Sequence, residues 1–372
     1  MRFPALSSNV LLAGSLAVSQ SFQGVITARA SRPWSLGGSF ELSSSSQGIE
    51  IANDGNVIWS ASLPFISASG GSDVFVGSSG AFDITEVDED QCQSQSISSI
   101  DSVAWDGTIA GSAVQIGGSL LDCGGENAPY TLTFWVPTDL PDRIAFYLDI
   151  SPLDSTTATP LKKLYFSFAS NAGEDFYGLG AQASFGTLKG QSIPIFSREQ
   201  GVGRGDEPVT DYENENGTFS GGDRFTTYTA IPSYISTDGN VFYLSEKSTG
   251  YANFDFRDPG SVSVRYDSLS VDGMFTRTAN MFDAVEKLTD YTGRMPSLPD
   301  WVDNGAILGI QGGQDKVNGI VEQGLGLGCP IAGVWLQDWC GTHSQEGPYI
   351  NISRLWWNWE VSRSSSWNQG HC

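Results

Sequence analysis

The chain has 372 residues, enough for two domains with sizeable cores. It sets 19 Lys and Arg against 42 Asp and Glu, a net charge of -23. That balance excludes a basic, phosphate-binding surface, so nucleic acid is not an expected partner, and an anionic small ligand would need a local positive group. With 44 glycines and only 16% charged residues, the composition suits a turn-rich β or mixed fold rather than a helical bundle or a disordered chain.

The first thirty residues read as a secretion signal. Arg2 supplies a positive start, residues 10–18 a short apolar stretch, and Ala17-Val18-Ser19 or Ala28-Arg29-Ala30 a small-x-small cleavage site. An ordinary first strand is the plain alternative. No apolar run approaches the ~20 residues of a membrane helix. Two sequons, Asn216-Gly217-Thr218 and Asn351-Ile352-Ser353, accord with secretion. So does the presence of Cys92 and Cys123 in one β-rich region, where they could pair. Cys329 and Cys340 are expected as buried thiols, and Cys372 is left over at the end. No cysteine or histidine spacing resembles a metal site.

From residue 31 to 295 the pattern predicts an antiparallel β-sandwich. "IEIANDGNVIWS" is two alternating runs around a tight turn, a hairpin signature. "YTLTFWV", "RIAFYLDI", "KLYFSFAS", "NVFYLSE", "YANFDFRD" and "SVSVRYD" repeat the alternation between Gly, Asp, Pro and Ser. "NMFDAVEKLTDYTG" then predicts a helix, with Asn280 as its cap, Met281, Ala284, Val285 and Leu288 on one face, and Gly293 as its stop.

After "MPSLPDW" the period changes. "GAILGIQ" and "IAGVWLQ" are apolar runs of the kind buried in parallel sheets, and Val317, Ile320, Val321 and Leu325 line a helix between them. Strand, helix, strand makes a βαβ unit, and in barrels built from such units functional groups stand where strands end. Gln311 and Gln337 are the polar residues that end the two runs, and "RLWWNWE" follows in the loop after the second.

Together "FYGLGAQASFGTLKG", "EQGVGRG", "YANFDF", "LPDW", "LGIQGG", "VWLQDWCG" and "RLWWNWE" resemble, in this order, glycoside hydrolase family 31, and within it the sulfoquinovosidase branch. The resemblance covers residues 165 to 360 and rests on the joint spacing of "IQGG", "QDW" and "RxxWNW". It implies a galactose-mutarotase-like sandwich followed by a (β/α)8 barrel, an α-glycosidase activity on α-linked 6-sulfo-quinovose, and no metal or organic cofactor. It also implies that Gln311, Gln337, Arg354 and Trp357 hold the substrate's sulfonate.

The chemistry of these side chains suits that role. A sulfonate is a permanent anion with three acceptor oxygens and no donor. Arginine offers a charged planar fork of N–H groups, and an indole N–H is donor only. Glutamine supplies amide donors where a carboxylate would repel the ligand. Members acting on neutral sugars carry an Asp where Gln337 stands. Taken singly, each residue has an ordinary reading: the glutamines as polar rim residues, Trp356, Trp357 and Trp359 as a core cluster, Arg354 as the partner of a nearby acid. Glu199, Gln200 and Arg204 read either as a sandwich loop facing the substrate or as a structural turn. Ala181 departs from the branch, where "GLGEQ" is common. Asp338 suits positioning better than attack, and His343 has no partner pattern for base catalysis.

Retaining glycosidases need two carboxylic acids across the scissile bond. The resemblance assigns both to barrel strands beyond the first two βα units, so no catalytic residue is expected within this chain. A whole barrel takes ~250 residues. The sequence therefore predicts a sandwich at 31–295, an incomplete barrel at 296–360, and an unrelated tail at 361–372, with apolar faces of the two βα units left exposed and no hydrolysis by these residues alone. Two other functions stay open: a neutral-sugar α-glucosidase or α-xylosidase of the same family, and a non-catalytic, carbohydrate-binding sandwich.

Overall fold

The computed structural model describes residues 33–355, except 79–80, 109–111, 155–157, 199–200, 202, 216–220, 246–247, 249, 311–312, 337–341 and 348–349. In the strands Thr342–Gly347 and Ile350–Leu355 the backbone alone is described. The predicted signal segment, the sequon at Asn216, Cys340, Cys372 and the tail at 361–372 lie outside the described residues. The chain divides into two compact units, Met1–Tyr291 and Thr292–Cys372.

The first unit is antiparallel β throughout its described strands. A four-stranded meander runs Trp34–Gly37, Phe40–Ser45, Gly48–Asn53 and Asn56–Ser62. Its third and fourth strands are the predicted hairpin. Asn53 pairs with Asn56, and Asp54 and Gly55 both take positive φ, 47° and 79°. That two-residue turn matches the right-handed twist of the flanking strands.

The other large sheet has 13 strands in one hydrogen-bonded order, from Phe176–Gly178 at one edge to Ser192–Ile195 at the other. It folds back on itself. Phe146 of strand Ile144–Ile150 lies 5.3 Å, ring to ring, from Phe166 of strand Lys163–Ala169, although four strands separate the two in hydrogen-bonding order. Period-2 alternation is the cause. In "IAFYLDI" Phe146 and Leu148 point inward and are fully buried, while Tyr147 and Asp149 face the other side. Trp59 of the meander closes the core, its ring 5.5 Å from Phe134 and 5.2 Å from Phe275. Each such buried ring contributes roughly 1.5–3 kcal/mol by leaving water.

Cys92 and Cys123 form a disulfide with Cα atoms 5.0 Å apart, joining neighbouring long strands across a separation of 31 residues. Replacing both by serine is expected to cost roughly 2–4 kcal/mol in urea denaturation, mostly by loosening the unfolded chain. A change within error would show that the bridge constrains nothing.

The predicted helix spans Met281–Thr292. The Asn280 side-chain oxygen accepts hydrogen bonds from the N–H groups of Phe282 and Asp283, at 2.9 and 3.1 Å, and Gly293 ends the helix at φ 82°. Ala284 packs against Val241 and Tyr243, and Tyr291 stacks on Tyr243 at 4.2 Å. Arg143, itself buried, donates from one Nη to Tyr243 Oη and to the carbonyl of Lys287, fastening helix to sheet. Val285, placed on the buried face by its spacing, is instead about half exposed.

In the second unit, strands Ala306–Ile310 and Ile331–Leu336 pair in parallel, and helix Gln314–Gly326 connects them. This is the β-α-β arrangement with which a (β/α)8 barrel begins. Val317 is buried, whereas Ile307, Leu325 and Trp335 are more than half exposed. Cys329 corrects the sequence reading. It is an exposed thiol, because it sits in the turn after the helix rather than inside a strand.

Candidate functional site

The four residues singled out for sulfonate binding all belong to the second unit. Ile310 and Leu336 are the final register pair of the parallel strands. The residues immediately before Gln311 and Gln337 thus lie side by side at the C-terminal end of the pair, the end that carries function in βα folds. Gln311, Gln337 and Trp357 themselves lie outside the described residues, as does Asp338. Arg354 is described by its backbone, in strand Ile350–Leu355 opposite His343.

In the first unit the structure joins two segments that the sequence presents separately. Ala181 N–H donates to the carbonyl of Thr229, and Thr227 Oγ1 donates to the carbonyl of Ala181. Gly180 must be glycine: its φ is 88°, and a Cβ there would lie 2.0 Å from the carbonyl oxygen of Thr229. Phe185 stacks on Phe225 at 5.5 Å, and the Arg224 guanidinium lies over Phe185 at 5.1 Å. "GLGAQASFG" is therefore sewn to the far end of the loop that begins with "EQGVGRG".

Within that longer loop, Arg198 is largely buried and grips both carboxylate oxygens of Asp223 at 2.5 Å. Arg204 stands in the left-handed region at φ 49° and donates its N–H to the carbonyl of Gly221. Gly205 N–H donates to Thr210 Oγ1, which ties the turn to the short helix Val209–Glu215. Glu199 and Gln200 lie outside the described residues. Arg204 thus sits in a built turn.

An ionic cluster that the sequence reading missed fastens Asp73, Glu86 and Asp88 to the outer face of the sandwich. Asp73 accepts from Arg265 at 2.7 Å through both oxygens and faces Lys163 Nζ at 2.9 Å. The side chains of Asp73 and Lys163 are 1% and 0% exposed. Asp88 accepts from Tyr165 and Ser69, and Glu86 accepts from Tyr251 and Asn253. Burial pushes the Asp73 carboxyl up, but hydrogen bonds from Arg265, Val87 N–H and Lys163, with the charge of Arg265, hold it below the usual carboxylate range. Burial and the neighbouring Asp88 push Tyr165 up to about 12. The charged groups pair with one another across the face, so the cluster holds structure. No group of three metal-ligating side chains occurs among the described residues.

No protein-family model matches the sequence. A sulfoquinovosidase from Escherichia coli strain K12 is 30% identical over 216 residues, 56% of this chain and 31% of that enzyme. A sulfoquinovosidase from Agrobacterium fabrum is 27% identical over 215 residues, 57% of this chain and 30% of that enzyme. The solved structure of a GH31 family sulfoquinovosidase from E. rectale, in complex with an aza-sugar inhibitor, superposes with a TM-score of 0.67 at 25% identity, covering 86% of this chain and 43% of that one. The chain thus spans about a third of the length of the curated relatives it matches. By sequence and by fold the chain is thus similar to sulfoquinovosidases of glycoside hydrolase family 31.

Proposed function

We propose that this chain supplies the sandwich and the sulfonate-reading rim of a retaining α-glycosidase that acts on α-sulfoquinovosides. The observation that supports the reading is the pairing of Ile310 with Leu336, the residues that precede Gln311 and Gln337 in the sequence. Gln311 and Gln337 would donate amide N–H groups, Arg354 a charged fork and Trp357 an indole N–H to the three sulfonate oxygens. Charged hydrogen bonds of this kind contribute about 1.5–3 kcal/mol each, enough to separate a sulfonated sugar from its neutral counterpart. Gln337, where a neutral-sugar enzyme would carry an acid, favours the sulfonated substrate over glucosides and xylosides.

Hydrolysis needs a nucleophile and an acid/base, and none of the 372 residues takes either role in this reading. The chain incubated alone with a chromogenic α-sulfoquinovoside is expected to release no chromophore above a buffer blank. Turnover by these residues, lost on heat denaturation, would refute the assignment of catalysis to acids outside them. The Cys92–Cys123 disulfide and the signal-like first thirty residues support secretion, which N-terminal sequencing of the protein recovered from culture medium would test.

A further inference from the structure

On the outer face of the sandwich a solvent-open groove of about 710 Å³ is lined by Trp105, Asp106, Trp135, Tyr147, Ser248 and Asp272, among others. It arises from the same alternation that builds the core. Tyr147 pairs with Thr133 and with Asp272 across neighbouring strands, so it and Asp272 share the face opposite Phe146. Among the lining residues the indoles of Trp105 and Trp135 lean together at 5.2 Å, tilted at 38° and each partly buried. Asp272 is held in place. Ser245 Oγ donates to one carboxylate oxygen, and Ser248 Oγ donates to the other at 2.9 Å. Nothing in the sulfonate rim or the ionic cluster uses these groups.

We propose that this groove is a second carbohydrate site, selective for a neutral oligosaccharide. Sugars present an apolar C–H face that suits an indole platform, and hydroxyl pairs that suit a fixed carboxylate acceptor. The size lies in the range of small-ligand clefts. Charge decides the class. Among the described lining residues two are carboxylates and none is basic, in a protein of net charge -23, so a sulfonated sugar is disfavoured. The two indoles, 5.2 Å apart and tilted at 38°, suit a sugar's C–H face, and choline tests whether a quaternary ammonium takes the aromatic lining instead.

Isothermal titration of the whole chain with maltotriose, cellotriose and galactobiose tests the proposal, with sulfoquinovose and choline as the other arms. At least one of the three neutral sugars should bind, and Trp105→Ala and the near-isosteric Asp272→Asn should each weaken that binding tenfold or more while leaving the circular dichroism unchanged. Any sulfoquinovose binding should be indifferent to both substitutions, which separates this site from the rim. Absence of binding by all three sugars to a folded chain would overturn the proposal. So would affinity unchanged in both variants, or choline binding that the variants abolish.

Discussion

Asp73→Asn is expected to destabilise the first unit by about 3 kcal/mol, the cost of leaving two buried cations without their nearest counter-charge. Lys163 and Arg265 are 0% and 6% exposed, and Asp73 is the buried carboxylate nearest to both, at 2.9 and 2.7 Å, with Asp88 further off at 3.7 Å from each. The near-isosteric amide keeps the shape and removes the charge, so packing changes little and electrostatics much. The cluster also sets an acid limit. Asp73 is held below its ordinary 3.8, so its contribution is complete above that value and is lost as pH falls through the lower folded-state value. Asp267 opposes this modestly, because burial and the charge of Asp73 raise its carboxyl. Urea denaturation followed by near-UV circular dichroism should show the loss in Asp73→Asn at pH 7 and a convergence of variant and native protein in acid. A difference below about 1 kcal/mol at pH 7 would mean that Asp88 or water, rather than Asp73, compensates the two cations.

Arg354→Leu is expected to weaken sulfoquinovose binding by roughly 10- to 150-fold, the equivalent of one charged hydrogen-bonding group at about 1.5–3 kcal/mol. Gln337→Asp should weaken it at least tenfold by a different route, since a carboxylate beside the sulfonate adds repulsion as well as removing a donor. The two differ in their response to salt. Repulsion in Gln337→Asp is partly screened as ionic strength rises, whereas the donor missing from Arg354→Leu is not restored. Titrations at low and high salt read this directly, and equal affinities for native and variant chains would remove both residues from the pocket.

Short-range chemistry was legible in the sequence. The Asp54-Gly55 turn, the Asn280 cap and the Gly293 stop follow from backbone preferences of single residues, and each stands where the pattern put it. The disulfide required only that two cysteines share a sheet. What the sequence hid depends on distant chain. Alternation in "SVSVRYD" turns Val262 and Val264 inward and Arg265 outward, toward solvent on any local reading, yet a segment 192 residues away covers it with Asp73. The joining of Ala181 to Thr229 likewise needs two loops that no periodicity links. Val285 and Leu325 fall at helical spacing but are exposed, since spacing defines a face and not what covers it. For the rim, strand ends and helix were legible and the parallel pairing places Ile310 beside Leu336, while the roles of Gln311, Gln337, Arg354 and Trp357 rest on their motifs.

The most direct test is calorimetric comparison of sulfoquinovose with glucose on the unaltered 372-residue chain under identical conditions. Sulfoquinovose should titrate at least tenfold more tightly than glucose. Matching isotherms, whether both saturating or both flat, would contradict a rim built to hold a sulfonate.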